Sequence, residues 1–253
     1  VSTFIGKQYA DFGGFEYDAN PAEVYEYSDL GNEITCFLVG ANLCWWLTPT
    51  QEIRFQIVDG HSGKADDTYG PLPEKVKAAK APLGYTLNWN GCFFDNKWAT
   101  RWSFSLLNQA RNTRSLYYVL GNQLNLGKLN IYIDFTLSDE ELDSREIISD
   151  ITRTETNPSC AEYTRYQSYV TKLNYRFRPR WNLFVKGMYE TASLTKQQGD
   201  LEKGKYRTAW GYFAGVEFYP MDTNLHFFLT YVGRSYDFTA RAKALGQENY
   251  STN

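Results

Sequence analysis

The stretch LNIYIDFTL, residues 129–137, alternates without a break between apolar side chains at odd positions and side chains that can bond water at even positions. Successive side chains of a β-strand point to opposite faces of the sheet, so this strand has one face suited to hydrocarbon and one suited to water. A soluble sandwich could use one strand of this kind. The chain repeats the pattern about ten times with almost no helical periodicity between the repeats, which is typical of a membrane barrel with a wet interior.

The composition fits a barrel and argues against several other classes of protein. Aromatic residues make up 17% of the 253 residues, and only 43% of the chain is hydrophobic. No stretch approaches the about 20 apolar residues that a spanning helix needs. The net charge of -3 and the two histidines give no general signal for nucleic-acid binding. No Pro/Gly/Ser-rich linker divides the chain, so we expect residues 1–253 to form a single transmembrane β-barrel domain.

The alternating stretches predict an all-β, antiparallel fold. The predicted strands are residues 2–10, 34–48, 52–60, 83–94, 98–110, 115–126, 129–137, 162–178, 181–194, 205–219 and 225–238. The connections alternate between tight turns, such as 48–51 and 95–97, and long loops, such as 11–33 and 138–161. Outer-membrane barrels have short turns on the periplasmic side and long loops outside. The sequence therefore predicts a transmembrane antiparallel β-barrel whose short turns face the periplasm.

Aromatic side chains are predicted to form girdles at the two membrane interfaces. Parity directs Trp46 inward, whereas the tryptophans that it directs outward near the short turns are Trp45, Trp98, Trp102 and Trp181. The tyrosines that it directs outward toward the long-loop rim are Tyr118, Tyr163, Tyr189 and Tyr206. Amphipathic rings prefer membrane interfaces, whereas a preference for strands alone would scatter them along the strand length.

The four cysteines predict neither a metal site nor another cofactor. Cys44 and Cys92 both face inward near the short turns, but the strand between theirs separates them by two spacings of about 4.8 Å, which is beyond disulfide reach. Cys36 and Cys160 lie near the long-loop rim and either form a disulfide or remain two isolated thiols. No CxxC or Cys/His metal spacing occurs.

The strand faces opposite the apolar ones would line the lumen, and they are mildly basic. Their cations are Arg54, Arg101, Lys172, Arg176, Lys186, Arg207 and Arg234. Their carboxylates are Glu52, Asp134, Glu190 and Glu217. Rings of Arg or Lys select anions in a pore, so we expect a modest anion preference. The alternative is that these are ordinary solvated charges that balance the carboxylates. Physiological salt screens charges over about 8 Å, so a wide pore is expected to prefer anions without excluding cations strictly.

The loop FGGFEYDANPAEVYEYS, residues 12–28, is too aromatic to be freely solvated. Within it, Asn20 and Pro21 predict the start of a short helix. A loop of this character is suited to fold into the lumen as a constriction. The residues that would form this constriction are Phe15, Glu16, Tyr17, Asp18, Tyr25 and Tyr27. Packing of the loop over the barrel mouth or against a neighbouring subunit is the alternative.

Several stretches resemble one family of porins. They are residues 12–29, PLGYTLNWNG at 82–91, TRWS at 100–103, TKLNYR at 171–176 and WNLFVKGMYE at 181–190. Together they make the chain similar to the phosphate-selective porin O and P family, in the form found in Bacteroidota. The selective members of that family carry an arginine ladder and a lysine cluster in the lumen, and these do not match the present sequence residue by residue.

The resemblance implies a bacterial outer-membrane porin of about 16 strands, through which small hydrophilic solutes diffuse passively. The family's phosphate selectivity transfers poorly to this sequence, because the ladder and the cluster are not matched, so an anion or phosphate preference stays an expectation. It implies contact with the lipid and lipopolysaccharide of the outer membrane. It also implies small solutes or anions as ligands, and assembly as a homotrimer or as part of a membrane assembly.

Two other function classes compete with a porin. An enzyme barrel would need a nucleophile or activated water, a histidine and an acid at one rim, but His61 is predicted in a long loop and His226 beside a short turn at the opposite end. We therefore expect no enzymatic activity. A non-conducting barrel that serves as a structural or interaction component of a larger outer-membrane assembly is the other alternative, since an outer face that contacts protein resembles one that contacts lipid.

The strand count predicts that the sequence covers part of a barrel. If residues 2–10 start at the periplasmic rim, residues 225–238 end at the outer rim, whereas a bacterial barrel has an even number of strands and returns to the periplasm. The polar tail, residues 245–253, has no apolar alternation to supply another strand. We therefore expect the chain to cover about 11 to 12 of about 16 strands, with others before Val1 and beyond Asn253.

Overall fold

The computed structural model describes residues 1–19, 24–31, 38–59, 73, 76–78, 83–107, 110–111, 113–155, 158–221 and 225–253. Its strands are β1 (Ser2–Gln8), β2 (Leu38–Thr48), β3 (Gln51–Asp59), β4 (Lys77–Ala78), β5 (Leu83–Phe93), β6 (Trp98–Leu107), β7 (Ala110–Arg111), β8 (Ser115–Leu126), β9 (Leu129–Leu142), β10 (Glu162–Arg178), β11 (Trp181–Leu194), β12 (Gly204–Phe218), β13 (Phe227–Phe238) and β14 (Tyr250–Thr252). Its helices are α1 (Phe15–Asp18), α2 (Ile147–Thr152) and α3 (Ala240–Ala244).

One antiparallel sheet contains 12 of these strands, and β4 pairs with β7 in a separate two-stranded sheet. The order in the large sheet is the order of the chain, from β1 to β14, so that β1 and β14 form two edges and the sheet is open. Two-residue turns join β2 to β3, β8 to β9 and β10 to β11, and all of these turns lie at one rim. Each long strand predicted from the sequence is present, and the predicted all-β antiparallel fold is confirmed.

The two faces of the sheet differ as the alternation predicts. In β9, Ile133 is 53% exposed on the outer face, whereas its neighbours Tyr132 and Asp134 are almost fully buried on the inner face. Other large apolar side chains exposed on the outer face are Leu43, Phe55, Leu87, Trp102, Leu120, Leu173, Val185, Trp210 and Tyr231. A continuous apolar outer surface is what a barrel presents to lipid. Within the described ranges, no helix is long and apolar enough to cross a membrane.

The polar tail contains a strand, and the prediction that it has none was wrong. Tyr250–Thr252 forms β14 and pairs with β13, with Tyr250 opposite Tyr236. The two rings stack with their centroids 4.6 Å apart, and the amide of Asn249 donates to Asp237 at 3.1 Å. Backbone pairing and one cross-strand aromatic contact specify this strand. Neither produces an alternation of apolar residues in the sequence, so the sequence pattern does not predict the strand.

Tyr206 faces the inside of the sheet, which corrects the prediction that it points outward. A β-bulge interrupts the pairing of β11 with β12: Ala192 lies opposite Arg207, but the next residue, Ser193, lies opposite Lys205. The extra residue changes the parity of β12 beyond the bulge. Tyr206 is consequently only 1% exposed and packs in an apolar cluster with Leu30.

The cysteines that the structure describes are free thiols. Cys44 lies on the inner face, where its Sγ is 3.3 Å from Glu52 Oε2, and Cys92 lines an inner cavity. Both placements agree with the parity prediction. Cys160 is a buried free thiol, while Cys36, its alternative disulfide partner, lies outside the described residues.

A buried carboxylate organises the loop between β9 and β10. Asp143 accepts hydrogen bonds from Ser149 N and Ser149 Oγ, both at 2.7 Å, and from Tyr166 OH at 2.5 Å. Ser149 belongs to the first turn of α2, so Asp143 satisfies a backbone donor that the helix itself leaves free. Burial, together with the negative charge of Glu140, raises the pKa of Asp143 to about 6.

We expect the docking of α2 to weaken as the pH rises from about 4 to about 6. The pKa of Asp143 is higher in the folded loop than its ordinary value of 3.8, so the folded loop favours the protonated acid. Protonated Asp143 stabilises the docked loop fully at pH values below its pKa in the unfolded chain, and this stabilisation is lost at pH values above its pKa in the folded loop. The free energy of docking differs by about 3 kcal/mol between these two limits. Hydrogen exchange of residues 147–152 between pH 4 and pH 7.5 measures this. Asp143→Asn should remove most of the pH dependence, and equal exchange in the wild type at both pH values would contradict the expectation.

Candidate constriction of the lumen

Residues 11–31, which we call the inner segment, lie against the inner face of the sheet, with 20–23 outside the described residues. The segment is inserted between two strands that pair directly, because Gln8 at the end of β1 lies opposite Leu38 at the start of β2. It therefore leaves the sheet and returns to it at the same rim. The predicted helix start at Asn20 and Pro21 lies outside the described residues, whereas α1 begins earlier, at Phe15.

The start of the inner segment is held by side chains of β2 and β3. Asp11 N donates to Gln56 Oε1, and Asn42 Nδ2 donates to Asp11 Oδ2, both at 2.9 Å. The Arg54 guanidinium lies 3.5 Å from the same carboxylate. These contacts turn the chain from the edge of the sheet into the interior.

Helix α1 sits directly on the wall at Asp134. The amide of Glu16 donates to Asp134 Oδ2 at 2.7 Å, so this wall carboxylate accepts a hydrogen bond from the first turn of the helix. Two glycines allow the close approach. A Cβ added at Gly14 would lie 2.5 Å from the Asp134 carboxyl carbon, and one added at Gly121 would lie 2.8 Å from Asp134 Oδ1.

A buried ion pair fixes the centre of the inner segment to β11. Lys186 Nζ lies 2.6 Å from Glu16 Oε1 and donates to the carbonyl of Glu26, also at 2.6 Å. Ser28 Oγ donates to Glu16 Oε2 at 2.5 Å. The Lys186 side chain is fully buried and that of Glu16 is 3% exposed. The additional hydrogen bonds offset part of the desolvation cost of burying both charges.

Tyr25 joins the segment to β11 and β12. Its ring stacks on Phe184, with centroids 4.5 Å apart and planes 4° apart, and its hydroxyl donates to Glu217 Oε1 at 2.5 Å. Lys172 Nζ lies 5.5 Å from the Tyr25 ring centroid and 5.0 Å from that of Phe184, within cation–π range. Tyr25 has φ 67°, a left-handed conformation that is uncommon for an aromatic residue.

The end of the inner segment enters a charged network on β11, β12 and β13. Glu26 lies 2.7 Å from the Arg234 guanidinium, which also pairs with Glu190. Asp29 pairs with Arg207, and its backbone amide donates to Glu190. Two segment carboxylates and one wall carboxylate thus surround two wall arginines.

A further contact lies on β6, nearer the short-turn rim. Arg101 pairs with Asp18 at the end of α1, and its guanidinium carbon lies 5.9 Å from the centroid of the Phe15 ring. The helix is therefore held from both sides, by Lys186 on one wall and by Arg101 on the other.

Between the inner segment and the short turns lies a cavity of about 500 Å³, which we call the vestibule. Strands β2, β3, β5, β6 and β8 form its wall. The side chains that define its chemistry are Phe15, Trp46, Glu52, Arg54, Asn90 and Arg101.

A sequence model of the phosphate-selective porin O and P family matches residues 1–252. The chain belongs to this family. It is an outer-membrane porin, a channel for the passive diffusion of small solutes. No curated protein sequence matches it.

Solved outer-membrane proteins share the fold of this porin. The outer membrane channel DcaP of Acinetobacter baumannii superposes with a TM-score of 0.64 at 9% sequence identity, over 98% of this chain and 68% of that one. OmpT, an outer membrane protein of Vibrio cholerae, superposes with a TM-score of 0.51 at 10% identity, over 92% of this chain and 63% of that one. The porin chain thus spans about two thirds of the length of these structures.

Most of the cations predicted to line the pore of this porin are paired. Those with a carboxylate of the inner segment within ion-pair distance are Arg54, Arg101, Lys186, Arg207 and Arg234. Lys172 is buried against aromatic rings, and Arg176 is exposed near the short turns.

The residues predicted to form the constriction lie on the inner segment. Phe15, Glu16 and Tyr25 contact the wall as described above, and Asp18 pairs with Arg101. Tyr17 covers Gly13, and Tyr27 is half-buried.

Three acidic residues that hold the inner segment were missed in the sequence analysis: Asp11, Glu26 and Asp29. A signal for them exists, because residues 11–31 carry a cluster of carboxylates while the inner strand faces are basic. Comparing the charge of the loop with that of the wall would have predicted that the two associate.

His226 lies at the short-turn rim, as predicted, between the rings of Tyr219 and Phe228. His61 lies outside the described residues. In the part of the chain that the structure describes, no three His, Cys, Asp or Glu side chains are grouped so as to hold a metal ion.

Proposed function

We propose that the inner segment forms the constriction of this porin and that the channel has a modest preference for anions. The observation that carries the first part is the buried Glu16–Lys186 ion pair, which holds α1 against the inner wall about halfway along β11. A segment held inside the barrel by buried charges occupies space that solutes would otherwise use.

The strength of the preference follows from which charges remain accessible. Segment carboxylates neutralise five of the inward cations, and these pairs present little net charge to a passing ion. Five exposed cations lie at the short-turn rim: Lys97, Lys128, Arg176, Arg178 and Arg180. Asp95 is the acid described in the same turns. A basic periplasmic mouth above a nearly neutral constriction supports a modest preference for anions rather than strict selection of phosphate. This preference should decrease as the salt concentration rises, because salt screens the charges.

Neutralising the periplasmic mouth should move the reversal potential toward cation selectivity. We expect Arg176→Gln/Arg178→Gln/Arg180→Gln to lose most of the anion preference at low salt without a change in the constriction, because these side chains are exposed. Reversal potentials of the full-length porin in a salt gradient measure this. Arg241→Gln, at the opposite rim and paired with Glu202, is the control and should leave the potential unchanged. Cation preference in the wild type at low salt would contradict the proposal.

The same proposal includes a homotrimer in contact with outer-membrane lipid and lipopolysaccharide, and no enzymatic activity. Membership of a porin family and the apolar outer face of the sheet support the membrane contacts. The stacking of His226 between the aromatic rings of Tyr219 and Phe228 supports the absence of a hydrolytic site. Single-channel recording of the purified porin tests conduction directly, and an absence of channels would favour a structural barrel instead.

A further inference from the structure

The vestibule contains an indole ring that faces water. Trp46 lies on the inner face of β2 and is 48% exposed, while its neighbour Trp45 lies on the outer face and is 55% exposed. Outward tryptophans are explained by the membrane interface, but an inward tryptophan is not. An exposed indole at the wall of an aqueous cavity offers a flat apolar surface to a solute.

Polar groups beside this ring can both donate and accept hydrogen bonds. Asn90 Nδ2 donates to Glu52 Oε1 at 2.9 Å, which fixes the orientation of the amide. Its Oδ1 is buried and has no hydrogen-bond partner within the described residues, and the same holds for Arg54 Nε. Such unsatisfied groups are costly unless a ligand or water pairs with them. The amides of Gln123 and Asn125 extend the polar surface along the same wall.

The charges of the vestibule do not favour an anion as its ligand. Arg54 lies 2.7 Å from Glu52 and 3.5 Å from Asp11, and Arg101 pairs with Asp18. Three carboxylates therefore accompany two guanidinium groups. An anion would have to displace one of these carboxylates, whereas a neutral molecule rich in hydroxyl groups would not.

We propose that the vestibule binds a neutral saccharide ring, whose apolar C–H face lies on Trp46 while its hydroxyls pair with Asn90, Glu52 and Arg54. The volume of about 500 Å³ accommodates a mono- or disaccharide. A saccharide at this site would be a solute of the proposed channel, and the inference rests on that channel being water-filled. It would raise the local concentration of sugar at the periplasmic side of the constriction.

The test is block of ion current by maltose added to the short-turn side of the full-length porin in a planar bilayer. We expect a saturable, concentration-dependent decrease in current. Trp46→Ala should raise the half-blocking concentration at least about tenfold, equivalent to about 1.4 kcal/mol. The matched control Trp45→Ala, which removes the adjacent indole from the lipid face, should leave it unchanged. Mannitol, which has hydroxyls but no ring face, should block weakly in all variants.

Binding is also measurable without conduction. Cys92 lines the vestibule, whereas Cys44 and Cys160 are buried, so maltose should slow the reaction of Cys92 with a thiol reagent in a variant in which Cys36 is replaced by serine.

Equal block by maltose and mannitol, or an unchanged half-blocking concentration in Trp46→Ala, would overturn the saccharide site. Block by inorganic phosphate in place of maltose would overturn it in favour of an anion site. A porin that conducts but is not blocked contradicts this site alone, while a barrel that does not conduct contradicts the proposed channel.

Discussion

Replacing residues 9–37 with an Asn-Gly turn is expected to raise the single-channel conductance and to make the channel strongly anion-selective. The replacement is feasible because Gln8 and Leu38 are paired neighbours in the sheet, and two residues of this type close such a hairpin. It removes the acids that neutralise the wall, which are Asp11, Glu16, Asp18, Glu26 and Asp29, and leaves the wall cations in place. Conductance and reversal potential in a salt gradient report the steric and the electrostatic effect separately.

A variant that keeps the segment but changes its charge is the control. Glu26→Gln/Asp29→Asn retains the size of the segment and removes two carboxylates beside Arg207 and Arg234. It should move the reversal potential toward anions without the increase in conductance. Unchanged conductance after the full replacement would place the inner segment outside the ion path.

The variant Lys186→Met is expected to release the centre of the inner segment from the wall. It leaves the Glu16 carboxylate buried without its cation, and removing one partner of a buried pair typically costs about 3–5 kcal/mol. The lipid-facing surface and the pairing of β11 are unaffected, so the loss should appear as faster hydrogen exchange in residues 11–31 and as larger current fluctuations.

The double variant distinguishes loss of the pair from damage to the strand. Lys186→Met/Glu16→Gln no longer buries an unpaired charge, so exchange in the segment should return part of the way to the wild-type rate. Arg176→Gln, which removes an exposed cation near the short turns, should leave exchange in the segment unchanged. Equal exchange in Lys186→Met and the wild type would show that this pair does not hold the segment.

The sequence is sufficient to predict the sheet because each strand carries its own evidence. In β9, the alternation around Ile133 and Asp134 specifies both faces without reference to any other strand. Tyr206 shows the limit of this approach, since a single extra residue at a bulge reverses the parity and leaves no local sign. Likewise, β14 depends on one stacked tyrosine pair and on backbone pairing.

The candidate constriction is less predictable because its contacts join distant parts of the chain. Its aromatic content indicates burial, and Phe15, Glu16 and Tyr25 were identified on that ground. The partners of these side chains depend on how the strands stack in register, which local patterns do not contain. Neither Asp11 nor Asp29 has a local feature that distinguishes it from a solvated loop acid.

The anchors of the inner segment also constrain the order in which the barrel can assemble. Glu16 meets a partner 170 residues later in the sequence, and Glu26 meets one 208 residues later. Contacts of such long sequence separation form late, since the intervening chain must first be ordered. The segment enters the chain between the first two strands of the sheet but acquires its final position only after β13 is in place. We therefore expect the interior to stay hydrated until β13 has joined the sheet, and the channel to narrow only after that point.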